Sequence, residues 1–215
     1  MNIIIANGLL PETEIPIPLD ALVIAADGGA RHCLRLGITP QVVIGDFDSL
    51  TPAEIDTLKA RGAQLLRHSA DKDETDLELA LDYAIRRGAR EITCYGLLGG
   101  RWDMSFANLL LLAAPRFDGV RFRICAGKTA IHILRGGEHL TLHSKPGDTV
   151  SLLPLSDLHG LTYRGLKWPL ENAHLPFGAP RGVSNMLLGE RGEISLATGR
   201  AAIFHNCRPQ NHSND

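Results

Sequence analysis

The first half of the chain alternates short apolar runs with segments of helical pattern, and this alternation limits the possible folds more than any other feature. Most runs lead through a loop with glycine or acidic residues into a helix. The runs that indicate strands are 2–6, 22–26, 42–44, 63–67, 91–95 and 120–125. Strands that alternate with helices form mostly parallel sheets covered on both faces. We therefore predict a Rossmann-like α/β domain over residues 1–127.

Capping patterns mark the ends of the helices in this half. The segment 51–54 combines a capping box with proline at the first helical position, and Thr75 with Glu78 matches a second capping box. Gly37 is expected to end the helix that precedes it in a left-handed conformation. A further helix is predicted over residues 104–114.

From about residue 129 the pattern changes to short strands with glycine or proline between them. The predicted strands are 131–134, 139–143, 149–153, 161–163, 193–197 and 201–204. Short strands with frequent turn signals are typical of an antiparallel sandwich or barrel. We predict an all-β domain over residues 128–205, followed by a polar tail over 206–215.

Two carboxylates, Asp46 and Asp48, follow the apolar run 42–44, with Gly45 before them. Ligands of open α/β sheets bind beyond the carboxyl ends of the strands. Mg²⁺ is commonly held by one or two carboxylates together with substrate phosphates. The pair therefore indicates a metal–phosphate site, but a polar turn that caps a helix accounts for the same residues equally well.

Three further loops place polar groups after strands. The glycines of segment 27–29 could expose N–H groups to a nucleotide. The acids of segment 71–76 begin a helix, where the macrodipole alone favours carboxylates by about 0.3–1 kcal/mol. In the glycine-rich loop 96–103, Arg101 could bind phosphate, and Asp103 could hold that arginine or join the metal shell. Because these loops follow strands in the same way, we expect one shared site.

Composition narrows the class of partner and the compartment. The formal charge of −2 gives no basic surface for nucleic acid, so a small molecule is the expected partner. The four cysteines lie far apart without a C-x-x-C pair, which argues against a zinc ribbon and a disulfide framework. No apolar stretch approaches membrane-spanning length. We expect a cytoplasmic protein with reduced thiols and no membrane association.

The sequence resembles the thiamine pyrophosphokinase family, whose members move a diphosphate from ATP to the hydroxyl of thiamine. The resemblance covers nearly the whole chain. It rests on segments in both halves: 27–30, 45–49, Asp73 with 75–76, 99–101 with Asp103 and Asn108, 165–170 and 182–185. The order and spacing of these motifs, together with the change from α/β to all-β, make the resemblance specific.

This resemblance implies roles for individual residues of the α/β half. It implies that Asp46, Asp48 and Asp76 hold Mg²⁺ with the diphosphate and that the loop of Arg101 and Asp103 lines the nucleotide side. We take these three acids and Asp103 as the candidate catalytic residues and leave the general base unassigned. The residues expected to contact ATP and its phosphates are Asp27, Gly28, Gly29, Lys72, Asp73, Thr75, Gly100 and Arg101. Many bacterial members carry histidine after the aspartate of the Gly-Arg-x-Asp loop, whereas this chain has Met104. A thioether cannot shuttle protons, so either a histidine there is dispensable or substrate handling differs at that edge of the site, and we favour the first.

In the β half the resemblance implies that Trp168 stacks on thiamine and that Ser184 and Asn185 offer it hydrogen bonds across a homodimer interface. Without the family, a tryptophan here is more simply a core aromatic of the sandwich. Two other functions stay open. One is a Mg²⁺-dependent phosphohydrolase, since an Asp-x-Asp site can also serve a phosphomonoester, and the other is a non-catalytic nucleotide-binding module with the β half as an interaction domain.

Overall fold

The computed structural model describes residues 1–12 and 14–207, and the chain divides into two compact units, Met1–Gly127 and the residues from Lys128 onward. Within the described ranges, no helix combines the length and the apolar character that crossing a membrane requires.

The first unit is a six-stranded parallel sheet with four helices. Its strands are β1 (Asn2–Ile5), β2 (Leu22–Ala26), β3 (Val42–Gly45), β4 (Gln64–Arg67), β5 (Glu91–Tyr95) and β6 (Arg121–Ala126). Its helices are α1 (Gly29–Arg35), α2 (Pro52–Ala60), α3 (Asp76–Arg86) and α4 (Trp102–Leu112), followed by a 3₁₀ turn over Pro115–Phe117. The strand order is β6-β5-β1-β2-β3-β4. The predicted mostly parallel α/β sheet is confirmed.

Alternating side chains of the central strands pack against helices on both faces. Ile3 and Ile5 of β1 belong to one core cluster with Ala30 and Cys33 of α1. The intervening Ile4 is fully buried, and α3 packs against β1, β2 and β3. Because successive strand residues point to opposite faces, a strand covered on both sides is apolar at every position.

The helix ends follow the local sequence in two of the three predicted cases. Thr51 forms the complete capping box with Glu54 at the start of α2. Gly37, just beyond α1, has φ +68°. Before α3, Thr75 Oγ1 accepts from the backbone N–H of Glu78 at 3.2 Å, but the Glu78 carboxylate pairs with Arg116 at 2.5 Å. The second predicted capping box is therefore only half formed, because the Glu78 carboxylate pairs with Arg116 and not with the backbone N–H of Thr75.

The second unit is built from antiparallel strands. They are β7 (Thr129–Arg135), β8 (His139–His143), β9 (Thr149–Pro154), β10 (Leu158–Arg164), β11 (Leu170–Leu175), β12 (Asn185–Met186), β13 (Arg191–Ser195) and β14 (Arg200–Asn206). One sheet has the order β12-β9-β14-β7 and the other β11-β10-β13-β8. Leu152 and Ile203 of the first sheet share a core cluster with Leu161 and Ile194 of the second. The predicted antiparallel β half is confirmed.

Two strands of this unit were not predicted from the sequence. β11 pairs with β10 through shifts in register, has φ +47° at Asn172 and exposes Glu171 and Asn172, so its residues do not alternate cleanly. β12 is only two residues long. Of the predicted tail 206–215, Asn206 belongs to the last strand β14 and Cys207 follows it, while residues 208–215 lie outside the described residues.

Candidate active site

Three carboxylates from separate loops meet at the carboxyl edge of the parallel sheet. Asp27 follows β2, Asp46 follows β3, and Asp76 begins α3. One carboxylate oxygen of each residue lies within 4.8 Å of the other two. Three acids this close repel one another unless a cation or a proton lies between them. The sequence predicted that these loops share a site, and the structure brings them together.

Asp27 is the most buried of the three acids, with 6 % of its surface exposed. It adopts φ +41°, a left-handed conformation that is uncommon outside glycine. Its Oδ1 atom is buried and accepts no hydrogen bond from any described residue. An unsatisfied buried carboxylate oxygen is costly, and its position among two other acids suits an oxygen-seeking cation.

Gly45 permits the close approach of these acids. It has φ +156°, and a Cβ added there would lie 2.9 Å from Cβ of Asp27 and 3.3 Å from Cγ of Asp76. A larger residue at position 45 would therefore push the carboxylates apart. The glycine beside the Asp pair is required by the packing of the site as well as by its backbone conformation.

The electrostatics of Asp76 reflect this crowding. Burial raises its pKa above the ordinary value for aspartate, the ion pair with Lys72 opposes that rise, and the charges of Asp27 and Asp46 add to it. Lys72 Nζ lies 3.0 Å from Asp76 Oδ1. One lysine thus compensates only part of the negative charge, and a divalent cation would offset the remainder.

Asp48 lies on the same loop but outside this trio of carboxylates. Its backbone N–H donates to Asp46 Oδ1 at 3.0 Å, and its own Oδ1 accepts from Ser49 Oγ at 3.1 Å. The first contact is an aspartate turn, so both interpretations of the sequence apply: a polar turn forms, and it presents Asp46 to the other acids. A metal-ligand role for Asp48 stays a prediction.

Two arginines that the sequence did not single out hold this loop from outside. Arg67 Nη1 donates to the carbonyl of Asp46 at 2.5 Å, and its guanidinium lies 4.7 Å from the ring centroid of Phe47. Arg31 donates to the carbonyl of Ser49. Arg67 reaches the loop because β4 pairs with β3 so that Arg67 stands beside Gly45. That register is a tertiary property, which leaves no local signal in the sequence.

A cavity of about 690 Å³ opens beside the acids within the first unit. Among the residues that line it are Asp27, Gly28, Lys72, Thr75, Gly100 and Arg101, all of them predicted contacts of ATP. Two other predicted contacts, Gly29 and Asp73, are not part of this lining. Gly29 instead lets α1 approach β1, since a Cβ there would lie 2.0 Å from the carbonyl oxygen of Ile5. Met104 also lines the cavity.

Arg101 and Asp103 form an ion pair at the N-terminus of α4. Arg101 Nη2 lies 2.5 Å from Asp103 Oδ2, and both side chains are exposed. The hydrogen bond from Arg101 lowers the pKa of Asp103 below its usual range. Of the two roles that the sequence allowed for Asp103, the structure has it holding the arginine.

In the second unit Trp168 is 53 % exposed, so it is not the core aromatic that its residue type alone would favour. The ammonium of Lys167 lies 4.8 Å from its ring centroid. The buried Asn185 accepts from the backbone N–H of Trp168 at 3.1 Å and donates to its carbonyl at 2.8 Å. Asn185 thereby fixes the backbone that presents the indole. Ser184 is exposed and has φ +62°.

Comparison with known proteins gives two matches to family models, one within each of the two units. Residues 19–126 match the catalytic domain of thiamin pyrophosphokinase, and residues 132–200 match the vitamin B1 binding domain of thiamin pyrophosphokinase. Together the two matches span most of the chain.

Individual relatives match over most of their length. The chain is 34 % identical over 200 residues to the thiamine pyrophosphokinase of Bacillus subtilis, covering 91 % of this chain and 94 % of the relative. Thiamine pyrophosphokinase 1 of Oryza sativa is 28 % identical over 220 residues, with 90 % and 82 % covered. Among solved structures, those of thiamine pyrophosphokinase from Bacillus subtilis and of a family protein from Enterococcus faecalis each give a TM-score of 0.85 at 29 % identity. They cover 97 % of this chain and 100 % and 99 % of those chains.

Proposed function

This chain belongs to the thiamine pyrophosphokinase family, and from that premise we propose that the carboxyl edge of its parallel sheet is where diphosphate passes from ATP to the hydroxyl of thiamine. The enzyme is a thiamine diphosphokinase, and AMP is the second product. One observation carries the assignment of the site: three carboxylates converge beside a cavity that is lined by Lys72, Arg101 and the glycine loops. Carboxylates and phosphate-binding groups at one edge are what metal-assisted phosphoryl transfer requires.

We propose that Mg²⁺ is held by Asp46, Asp48 and Asp76, with Asp27 as a fourth acid. The fit is supported by the oxygen-only donor set and by the buried Asp27 Oδ1, which no described residue satisfies. When bound, the ion neutralises charge on the phosphate oxygens.

The chain's own residues have a positioning task in this reaction. Lys72 and Arg101 line the cavity and would donate to phosphate oxygens as charge shifts toward AMP. Asp103 pairs with Arg101 and, in this proposal, orients its guanidinium for that contact. Met104 carries no titratable proton, so transfer does not depend on a proton acceptor at position 104.

Thiamine recognition is proposed for the second unit. The exposed indole of Trp168 offers a face on which an aromatic ring can stack, and Asn185 fixes its backbone. Ser184 and Asn185 are the proposed polar contacts.

We further propose that the enzyme acts as a cytoplasmic homodimer. Helix α4 exposes Trp102, Phe106 and Leu110, which recur every four residues and therefore form one apolar stripe. A second copy of the chain is the occupant that the family implies. Light scattering at assay concentration should give twice the mass of one chain, and the mass of a single chain would contradict the dimer.

Product analysis tests the function directly. We expect AMP to be released from ATP only when thiamine is present, in equal amount with thiamine diphosphate, and only with Mg²⁺. Inorganic phosphate released without thiamine would replace the proposal by a phosphohydrolase. Nucleotide binding without turnover would replace it by a binding module.

A further inference from the structure

A second group of potential metal ligands lies in the β unit and consists of residues to which no role has been assigned above. We propose that Asp148, His205 and Cys207 form a site for a borderline divalent cation of the Zn²⁺ class. A carboxylate oxygen, an imidazole nitrogen and the thiol sulfur of these residues all lie within 4.8 Å of one another. Asp148 and His205 are 3 % and 6 % exposed, whereas Cys207 is open to solvent.

Strand pairing brings these residues together. β14 pairs antiparallel with β9, with Asn206 opposite Thr149 and His205 opposite Val150. Continuing that register by one residue places Cys207 opposite Asp148. His205 and Cys207 are two residues apart, so their side chains leave the strand on the same side. Asp148 and Cys207 are thus cross-strand neighbours, and His205 lies on the same side of the chain as Cys207. The three side chains together form a triangle of potential ligands.

The backbone and neighbouring side chains already orient these groups. Ser144 Oγ donates to Asp148 Oδ2, and the backbone N–H of Lys145 donates to the same oxygen at 3.4 Å. The backbone N–H of Cys207 donates to the carbonyl of Lys128 at 3.0 Å. Metal ligands are commonly held in this way by hydrogen bonds from outside the ligand set.

The distances allow a cation to be enclosed with small side-chain movements. Zinc bonds of about 2.0–2.3 Å imply ligand atoms roughly 3.2–3.8 Å apart in a tetrahedral site. His205 Nε2 lies 3.9 Å from Asp148 Oδ2, so that pair is almost at this separation. Cys207 is exposed, and rotation of its side chain can supply the remaining contraction. A fourth position is then available to water.

The donor chemistry separates this cluster from the acids of the active site. Those acids offer oxygen alone, which suits Mg²⁺, whereas oxygen, nitrogen and sulfur together favour a softer ion. An aspartate, a thiolate and a neutral histidine carry two negative charges, which a divalent cation balances. Bound there, the ion would tie the end of β14 to the turn before β9.

Cobalt titration of the full-length protein tests this proposal without reference to turnover. With excess Mg²⁺ and a phosphine reductant present, we expect one equivalent of Co²⁺ to produce a sulfur-to-metal charge-transfer band, which Zn²⁺ then displaces. Cys207→Ser should abolish the band, and Cys125→Ser, a matched change at a partly buried cysteine, should leave it intact.

A second variant separates ligation from folding. Asp148→Asn should weaken Co²⁺ binding at least tenfold while the far-ultraviolet circular dichroism stays unchanged; should it fail to fold, the Cys207→Ser comparison decides alone, since that side chain is exposed. A band that survives in Cys207→Ser, or Co²⁺ bound with no sulfur band in the unmodified protein, would overturn the proposal.

Discussion

Among the described residues, two clusters of potential metal ligands are built by opposite kinds of strand pairing. In the α/β unit, Asp27, Asp46 and Asp76 come from three loops that all follow parallel strands. In the β unit, Asp148 precedes β9, His205 lies in the antiparallel partner strand β14, and Cys207 follows that strand directly. The first cluster offers only oxygen and lies beside a large cavity, whereas the second mixes three donor elements.

This difference explains which kind of site can be predicted from sequence in a parallel sheet and in an antiparallel sheet. Parallel strands end at a common edge, so any polar residue just after a strand is a candidate for the same site. Antiparallel partners meet according to register, and register depends on turns and packing along both strands. The acid cluster could therefore be anticipated, and the mixed cluster could not.

The largest effect is expected from removing charge at the acid cluster. Asp46→Asn and Asp48→Asn should each lower kcat by about 10²–10³-fold, because electrostatic stabilisation in the transition state is lost. Steady-state AMP release at saturating Mg²⁺ measures this, with Asp56→Asn on the exposed face of α2 as the control. Near-normal turnover in the Asp48 variant alone would restrict the metal ligands to the three converging acids.

The next largest effect is expected from Gly45→Ala, which tests how closely the three acids pack. Gly45→Ala should lower the free energy of unfolding by about 2–4 kcal/mol, since it adds backbone strain to a close contact with Asp27. Urea denaturation measures the loss. Gly37→Ala introduces left-handed strain alone, since no described atom lies within 4 Å of the added Cβ, and should lower the free energy of unfolding by only about 1 kcal/mol. Equal losses in both would show that crowding of the acids contributes nothing.

Trp168 tests whether the β unit recognises thiamine. Trp168→Ala should raise the KM for thiamine about tenfold, the equivalent of about 1.4 kcal/mol of lost stacking, while the KM for ATP stays within about twofold. Trp168→Phe should retain most of the affinity. Phe177→Ala, another exposed aromatic of this unit, is the control. An equal rise in both KM values would contradict stacking on thiamine.

The smallest expected effect concerns Glu54, which pairs with Arg31, one of the two arginines that donate to the loop of Asp46. The hydrogen bond from Arg31 and the backbone of Thr51 lower the pKa of Glu54 from 4.5 to about 2. A depressed carboxylate pKa stabilises the fold above the unfolded value, and that stability is lost as the pH falls through about 2. Glu54→Gln should therefore lower stability by about 0.5–1 kcal/mol at neutral pH, the modest size expected for an exposed ion pair.

The pH dependence distinguishes this ion pair from simple packing. The difference between Glu54→Gln and the unmodified protein should shrink as the pH falls from 4.5 toward 2, as measured by urea midpoints. Glu190→Gln, at an exposed position of the β unit, serves as the control. A difference that stays constant with pH would mean that the carboxylate charge plays no part.

Much of the fold was predictable because its signals are local. The complete capping box of Thr51 and Glu54 and the left-handed Gly37 are set by neighbours within one turn of helix. Where a distant partner competes, the local signal fails: Glu78 leaves its expected cap to pair with Arg116. β11 was missed because its register shifts and exposed polar residues erase the alternation that identifies a strand.

The sequence by itself determined that acids follow parallel strands and that the chain changes from α/β to all-β, since periodicity and turn residues act over a few positions. Only the tertiary structure decided which groups meet. It brought Asp27 into the trio with Asp46 and Asp76, exposed Trp168 and placed Asp148 beside His205 and Cys207. The physical reason is that side-chain proximity across a sheet follows from register and packing, which join residues far apart in the chain.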